Sequence, residues 1–484
     1  MVPPMPERPN VVLINCDDLG YGDLGCYGST RNDTPHLDRM AAEGARFTDF
    51  LMASPVCSPS RAAMLTGCYP LRIGFGGRDG GGLGGVLFPG WPIGLHPDEV
   101  TVAKALKAAG YATMAIGKWH CGDQPDFLPT NHGFDEWYGI PYSNDMGRQV
   151  AAEGEPSDDE MRTVLEGMGV TLPWLRPPLP LMDGTDVVEQ QPDQSSLVGR
   201  YVERAVRFVR AERDGPFFLY LAHLYVHLPI YVQERFLHQS RNGAYGGAVA
   251  AIDWAAGVLL HELRRLGLDE RTLVIFTSDN GALATERGGS GSNAPLRGAK
   301  GTTWEGGQRV PGLMRWPGRI APGTVVDTMA TSLDLFPTIV GLCGASRPAD
   351  RTTDGADIGG LVGLGSAVPD PDRPFVYILD GSIEAIRSGR WKLHVRKRRR
   401  ELLELYDLST DIGETTDVHA DHPDVAARLS ALLDEARADL GDEATGRVGS
   451  GVRPIGRVDD PQPLTTFDPE HPYYAAEYDL PHRG

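Results

Sequence analysis

Four short apolar runs, each breaking off in polar residues, restrict the architecture of this chain more than anything else in it. Val11-Val12-Leu13-Ile14-Asn15 leads into Asp17 and Asp18, and Tyr111 to Ile116 into Gly117-Lys118-Trp119-His120. Pro216 to Leu221 leads into His223 and His227, and Thr272 to Thr277 into Asp279 and Asn280. Their length and their β-branched or aromatic content make them strands, and unbroken apolarity marks strands covered on both faces. Helical patterns precede three of them: Asp98 to Ala109, Ser195 to Arg213 and Ala248 to Leu266, each followed by a glycine at or near its end. Alternating helix and strand predicts an α/β fold, a large, mostly parallel sheet flanked by helices. Such sheets carry their sites beyond the carboxyl ends of the strands. All four polar clusters fall there, so residues spread from Asp17 to Asn280 are expected to meet.

From about Pro374 the pattern changes. Phe375 to Leu379, Glu384 to Ser388, Trp391 to Val395 and Leu403 to Asp407 are short strands separated by turn residues, and Pro423 to Leu440 reads as a helix closed by Gly441. The expected division is a main α/β domain over 1–370, a small antiparallel sheet with a helix over 371–442, and an extended tail over 443–484. A net charge of −19 excludes a nucleic-acid binder, which needs basic surface to displace phosphate counterions. No apolar run approaches the ~18 residues that span a bilayer. The first ten residues have neither a basic start nor an apolar segment, so the expected location is cytoplasmic. In that setting the six cysteines (Cys16, Cys26, Cys57, Cys68, Cys121 and Cys343) are expected to be thiols, and no CxxC pair or Cys/His cluster offers a zinc site.

Chemistry concentrates in a few segments. In Cys57-Ser58-Pro59-Ser60-Arg61-Ala62-Ala63-Met64-Leu65-Thr66-Gly67, Pro59 suits a first helical turn, which places Cys57 just before a helix N-terminus, where negative charge is favoured. A reactive role and a small buried hydrophobe are both open to it. Asp17 and Asp18 are adjacent carboxylates that repel unless a cation or strong donors compensate; otherwise one is a buried cap and the other exposed. With Asp279 and Asn280 in the equivalent place after another strand, they form a hard, oxygen-only set suited to Ca²⁺ or Mg²⁺. The glycines between Gly74 and Gly94 fit no phosphate loop and read as a flexible rim. The run Arg396 to Arg400 sits at an expected hairpin turn, where such charge is ordinarily solvated.

The Cys-x-Pro-x-Arg element followed by Ala-Ala-x-Leu-Thr-Gly resembles the signature of the sulfatases, a branch of the alkaline phosphatase superfamily. The likeness to arylsulfatases runs from about Pro9 to Phe336 and continues more loosely beyond. It implies that a formylglycine-generating enzyme converts Cys57 into formylglycine, an aldehyde whose hydrate is the nucleophile. Cys68 departs from the family's usual Arg after Leu-Thr-Gly, which bears on recognition by that modifying enzyme. The resemblance further implies that Asp17, Asp18, Asp279 and Asn280, with position 57, hold a divalent cation, calcium in preference to magnesium. Gly117-Lys118-Trp119-His120, Val226-His227-Leu228-Pro229 and Arg297 to Gly307 match further family blocks. Lys118, His227 and Lys300 would bind sulfate, His120 would bond the hydrate, and Ser143, in Pro141-Tyr142-Ser143, would touch substrate. His227 is preferred to His223 as the sulfate ligand, and His223 is expected to bond nearby backbone.

The implied reaction is hydrolysis of a small-molecule or saccharide sulfate ester. Lys118, Lys300, His227 and Arg61 surround the sulfonyl oxygens and the hydrate with positive charge or donors, and Asp279 accepts the nucleophile's proton. His227 or Lys300 protonates the leaving oxygen, and His120 then deprotonates the second hydroxyl so that sulfate departs and the aldehyde returns. Two other readings compete: a phosphonate or phosphate ester hydrolase of the same superfamily, disfavoured by Asn280 and Lys300, and a silent binding protein on the same fold. The loops Gly147 to Ser196 and Glu286 to Pro295 carry no pattern that specifies the substrate.

Overall fold

The computed structural model describes residues 8–77, 85–148, 157–167, 175–211, 213–283, 291–464 and 483–484. A ten-stranded sheet runs in the order Thr324–Val326, Ala45–Phe47, Gly312–Arg315, Thr272–Ser278, Asn10–Cys16, Phe217–Ala222, Ala112–Gly117, Glu136–Gly139, Pro180–Asp183 and Asp186–Gln190. The five strands from Thr272–Ser278 to Glu136–Gly139 are mutually parallel, and four of these are the apolar runs of the sequence, side by side. Antiparallel pairings begin at Gly312–Arg315 on one flank and Pro180–Asp183 on the other. Every residue of Asn10–Cys16, Phe217–Ala222 and Thr272–Ser278 is buried. Alternation feeds two cores, with Val11 and Leu13 in one and Val12 and Ile14 in the other. Cys16 pairs with Ser278, and Gly117 and Asn15 both pair with Ala222, so the carboxyl ends finish level.

On one face lie Gln194–Arg210 and Gly243–Arg265. Asp193 caps the first, accepting from the Ser195 N–H at 3.0 Å, and a stripe through Leu197, Tyr201, Ala205 and Phe208 is buried beneath it. Gly243–Arg265 has the length and apolarity of a membrane span, but most of it is buried inside the fold as a core helix. On the other face lie Cys57–Thr66, Val102–Ala108 and Leu335–Leu342. Val102–Ala108 starts later than the Asp98 expected, because the Thr101 hydroxyl accepts from the Lys104 N–H at 3.1 Å and fixes the cap there.

The C-terminal strands Pro374–Leu379, Ser382–Ser388, Trp391–Lys397 and Arg400–Asp407 form a four-stranded antiparallel meander, covered by the helix Pro423–Leu440. Its apolar cluster includes Leu51, Ala53 and Ala63 of the main unit, so the two share a core. Beyond Gly441 the described tail is docked: Gly456–Arg457 pairs with Ile93–Gly94, and Arg453 bridges to Glu99 at 2.6 Å. Two expectations need correction. The span Gly147 to Ser196 contains a helix, Asp158–Gly167, and the hairpin Pro180–Asp183/Asp186–Gln190 that widens the sheet. Of the stretch Gly74 to Gly94, the described part from residue 85 onward is tied down at the Gly90 N–H, which bonds Asp123 at 2.5 Å. Parts of both stretches, residues 78–84, 149–156 and 168–174, and of Glu286 to Pro295, lie outside the described residues. All six cysteines are free thiols.

Candidate active site

Asp17 and Asp18 follow their strand directly. The Asp17 N–H donates to Tyr225 O at 2.8 Å and the Asp18 N–H to Asp279 Oδ1 at 3.2 Å, which ties this turn to the ends of both neighbouring strands. Asp18 and His120 take left-handed backbone angles (φ 60° and 61°), tolerated in non-glycine residues where surrounding contacts over-determine them. Gly117, just before Lys118, has φ 95°, and a Cβ there would lie 1.8 Å from Ala222 O. Only glycine lets these strands approach so closely.

Cys57 is the first residue of the helix Cys57–Thr66, one position further in than expected, and this end points at the strand termini. Two residues of its opening turns fasten it there. Ser60 Oγ donates to Asp279 O at 2.5 Å, and Arg61 Nε donates to Asp279 Oδ2 at 2.7 Å while its Nη1 donates to Lys118 O at 2.9 Å. Arg61 is wholly buried among these partners and does not line the cavity. Its guanidinium bonds one carboxylate, Asp279, and lies 3.9 Å from Asp17, while its Nη2 is a buried donor without a protein partner.

Lys118 Nζ lies 2.5 Å from Asp17 Oδ2 and 3.1 Å from Ser143 Oγ. Lys300 Nζ lies 2.8 Å from Asp18 Oδ1, and Asn280 Nδ2 donates to that same oxygen at 2.7 Å. His227 Nε2 is 3.8 Å from Asp18 Oδ2. Cys57, His120, Ser143, His227 and Lys300 line one cavity of about 310 Å³. The site residues expected from the sequence thus gather at the carboxyl end of the sheet, these five around the cavity and Asp17, Asp18, Arg61, Lys118, Asp279 and Asn280 buried beside it. His223 does not join them: it is buried with both ring nitrogens unbonded, so the expected backbone bond is not formed, and burial followed by Arg61 pushes it down to about 3.

Three carboxylates (Asp17, Asp18, Asp279) face three cations (Arg61, Lys118, Lys300). Burial alone would raise the Asp17 carboxyl, but Lys118, His227 and Arg61 hold it far below the usual range. Burial pushes Asp279 up to about 6, against Arg61 and with the help of Asp17. Burial also raises the Cys57 thiol despite Lys118 and Lys300, which leaves the unmodified side chain a protonated, weak nucleophile at neutral pH. For His120, burial reinforced by Lys118 and Arg61 pushes the ring well below the usual histidine range. Leu87 O can only accept, so His120 Nε2, 3.0 Å away, carries the hydrogen, and the unbonded Nδ1 keeps its lone pair.

The residues fit a hard cation. Asp17 Oδ1 and Asn280 Oδ1 are buried acceptors with no donor, a costly condition that a cation relieves. Asp17, Asp18 and His227 offer ligand atoms within 4.8 Å of one another. Of the two alternatives at the rim of this cluster, the oxygen set with Asn280 suits calcium or magnesium better than one with imidazole. Asp279 is more committed, because Arg61 occupies one oxygen and the Asp18 N–H the other.

The family model described as Sulfatase matches residues 9–345. The chain belongs to the sulfatase family. It is 38% identical over 445 residues to steryl-sulfatase of Mus musculus, covering 80% of this chain and 71% of that one. It is 42% identical over 397 residues to arylsulfatase A of Homo sapiens, covering 80% and 74%. Among solved structures it is similar to the PsFucS1 sulfatase from Pseudoalteromonas sp., with a TM-score of 0.78, 27% identity and 93% of each chain covered. This sulfatase is accordingly a sulfuric ester hydrolase with the α/β architecture of its family. Sequence reasoning missed Leu87, whose carbonyl sets the His120 tautomer, and the wall formed by Met146, Met161 and Leu165. Leu87 lies among glycines, and the wall comes from a span without a periodic signal.

Proposed function

We propose that this sulfatase cleaves sulfate monoesters with a formylglycine at position 57 and a divalent cation, calcium in preference to magnesium, held by Asp17, Asp18, Asp279 and Asn280. What carries the reading is the convergence of Cys57, His120, His227 and Lys300 on one cavity, with Lys300 and the buried Lys118 paired to the carboxylates Asp18 and Asp17. The cation would acidify the nucleophile and neutralise sulfonyl charge, and the aldehyde hydrate would supply an attacking hydroxyl and a second one for sulfate release. The chain's own groups do the rest. Lys118 and Lys300 present ammoniums to the sulfonyl oxygens, and Ser143 orients Lys118. His227 or Lys300 protonates the departing oxygen, and His120 Nδ1 accepts the proton whose loss frees sulfate. Arg61 holds Asp279 in place. A small-molecule or saccharide sulfate ester would be the substrate, and a formylglycine-generating enzyme the maturation partner.

With the cation, the three carboxylates and three basic side chains leave an excess of about two positive charges, which suits a monoanionic ester better than a phosphate dianion. The test is a kinetic comparison on one batch whose formylglycine content is known from intact mass. The expected kcat/KM on 4-nitrophenyl sulfate exceeds that on 4-nitrophenyl phosphate and phenylphosphonate by at least about tenfold, or ~1.4 kcal/mol. A phosphorus ester turning over faster would transfer the assignment to a phosphonate or phosphate hydrolase.

A further inference from the structure

The cavity above Cys57 has a charged floor and an apolar wall. The floor is Lys300, His227, His120 and Ser143; the wall is Val86, Phe88, Met146, Met161, Leu165 and Leu175, with Asp145 and Arg176 as the other polar groups among the described lining residues. Met161 and Leu165 are one helical turn apart on Asp158–Gly167, a helix otherwise dominated by acidic and polar residues, so this pair is its apolar stripe and it faces the cavity. Phe88, which also lines the cavity, is braced by Trp91, with ring centroids 5.2 Å apart, which gives the lining a fixed aromatic edge. Phe88, Met161 and Leu165 are all partly exposed, so this apolar surface faces water until something covers it.

We propose that the alcohol or phenol portion of the substrate is an apolar ring system that packs between Phe88 and the Met161–Leu165 stripe, and that a polyhydroxylated sugar is a poor substrate. The inference deepens the sulfatase reading and rests on it for the position of the sulfate. Sugar hydroxyls set against Val86, Phe88, Met146, Met161, Leu165 and Leu175 would exchange water for side chains that cannot bond them, a penalty for each group left unpaired. Asp145 and Arg176 are the polar partners left among the described lining outside the charged floor. An aromatic or alicyclic ring loses nothing polar there and removes its own surface and that of the wall from water. Methionine adapts to the contour of whichever ring arrives.

The test separates ring size and polarity from leaving-group chemistry. Phenyl sulfate and 2-naphthyl sulfate release phenols of similar acidity, and cyclohexylmethyl sulfate and galactose 6-sulfate are both esters of primary alcohols. The expected kcat/KM favours 2-naphthyl over phenyl sulfate by about tenfold, mainly through KM, and cyclohexylmethyl sulfate over galactose 6-sulfate by more than that. In Met161→Asn and in Leu165→Asn the naphthyl-to-phenyl ratio should fall towards one. Galactose 6-sulfate as the better ester, or a naphthyl preference that survives both substitutions, overturns the proposal. Calorimetric binding of the same four esters to Cys57→Ala reads the wall without turnover: if naphthyl binding is tighter but the wild-type protein hydrolyses no ester, the mechanism fails while the wall stands.

Discussion

At the scale of single residues the site depends on a few side chains with no substitute. Cys57→Ala and Cys57→Ser should both end multiple turnover on an aryl sulfate, because neither can form an aldehyde hydrate; the readout is product formed per enzyme, which should not exceed one for Cys57→Ser. Repeated turnover by either variant would sink the formylglycine mechanism. Asp17→Ala removes the carboxylate whose Oδ1 has no protein donor and whose Oδ2 pairs with Lys118. Activity should fall by several orders of magnitude, and chelation of the wild type should reproduce that loss, with recovery on adding Ca²⁺ or Mg²⁺. Full activity in a metal-free preparation would remove the cation from the mechanism. Arg61 shows where residue-level reading stops: its presence in the Cys-x-Pro-x-Arg element was plain, but its direction, towards Asp279 and the Lys118 carbonyl, is set by strands far away in sequence.

Elements were legible in proportion to how much their apolar pattern exceeded the ambiguity of a short run. The four central strands and the helix Pro423–Leu440 stood out because burial on both faces, or a Pro start and a Gly stop, leaves an unmistakable pattern. The flanking strands Glu136–Gly139, Pro180–Asp183 and Asp186–Gln190 did not, since they are four or five residues long and mix polar with apolar side chains. The helix Pro35–Glu43 owes its start to a partner no local pattern names: Asp253, on Gly243–Arg265, accepts from the N–H groups of His36 at 3.0 Å and Leu37 at 2.8 Å. Asp253→Ala strands both donors and should cost about 1–2 kcal/mol in denaturant unfolding, with kcat little changed. Burial, opposed by those two N–H bonds, raises this carboxyl from an ordinary 3.8 to about 7. The folded protein therefore holds that proton more tightly than the unfolded chain across the interval between those values. Stability relative to Asp253→Asn should decline as pH rises through it, and a difference that grows with pH would contradict the assignment.

On the scale of the molecule, the small sheet serves the large one by holding the loop that carries Lys300. Glu414, buried and in a left-handed backbone conformation, grips both ends of that loop: its carbonyl accepts from Arg297 Nη1 at 2.6 Å and its carboxylate from the Glu305 N–H at 2.7 Å. Lys392 then joins the Glu305 and Glu414 carboxylates at 2.9 Å each, and Trp304 lies between Arg297 and Lys397, 3.7 and 3.6 Å from its ring centre. The division at about 370 and 442 is accordingly one we propose for the chain's layout, with an interface in which charge is paired instead of exposed. Buried carboxylates of this kind contribute geometry more than net stability, since desolvation offsets much of their attraction. Loss of the Glu414 grip should therefore be felt first at Lys300 Nζ, where a displacement of about 1 Å is enough to cost ~100-fold in rate. Glu414→Gln keeps an acceptor for the Glu305 N–H but weakens the link to Lys392; Glu414→Ala removes both. If Lys300 neutralises the leaving oxygen, Lys300→Ala slows esters of weakly acidic phenols more than those of 4-nitrophenol, and Glu414→Ala should show the same slope in smaller measure, with Glu414→Gln between it and the wild type. The double variant decides the matter. Residues acting through one another are non-additive, so Lys300→Ala with Glu414→Ala should be no slower than Lys300→Ala alone, whereas two independent losses would multiply.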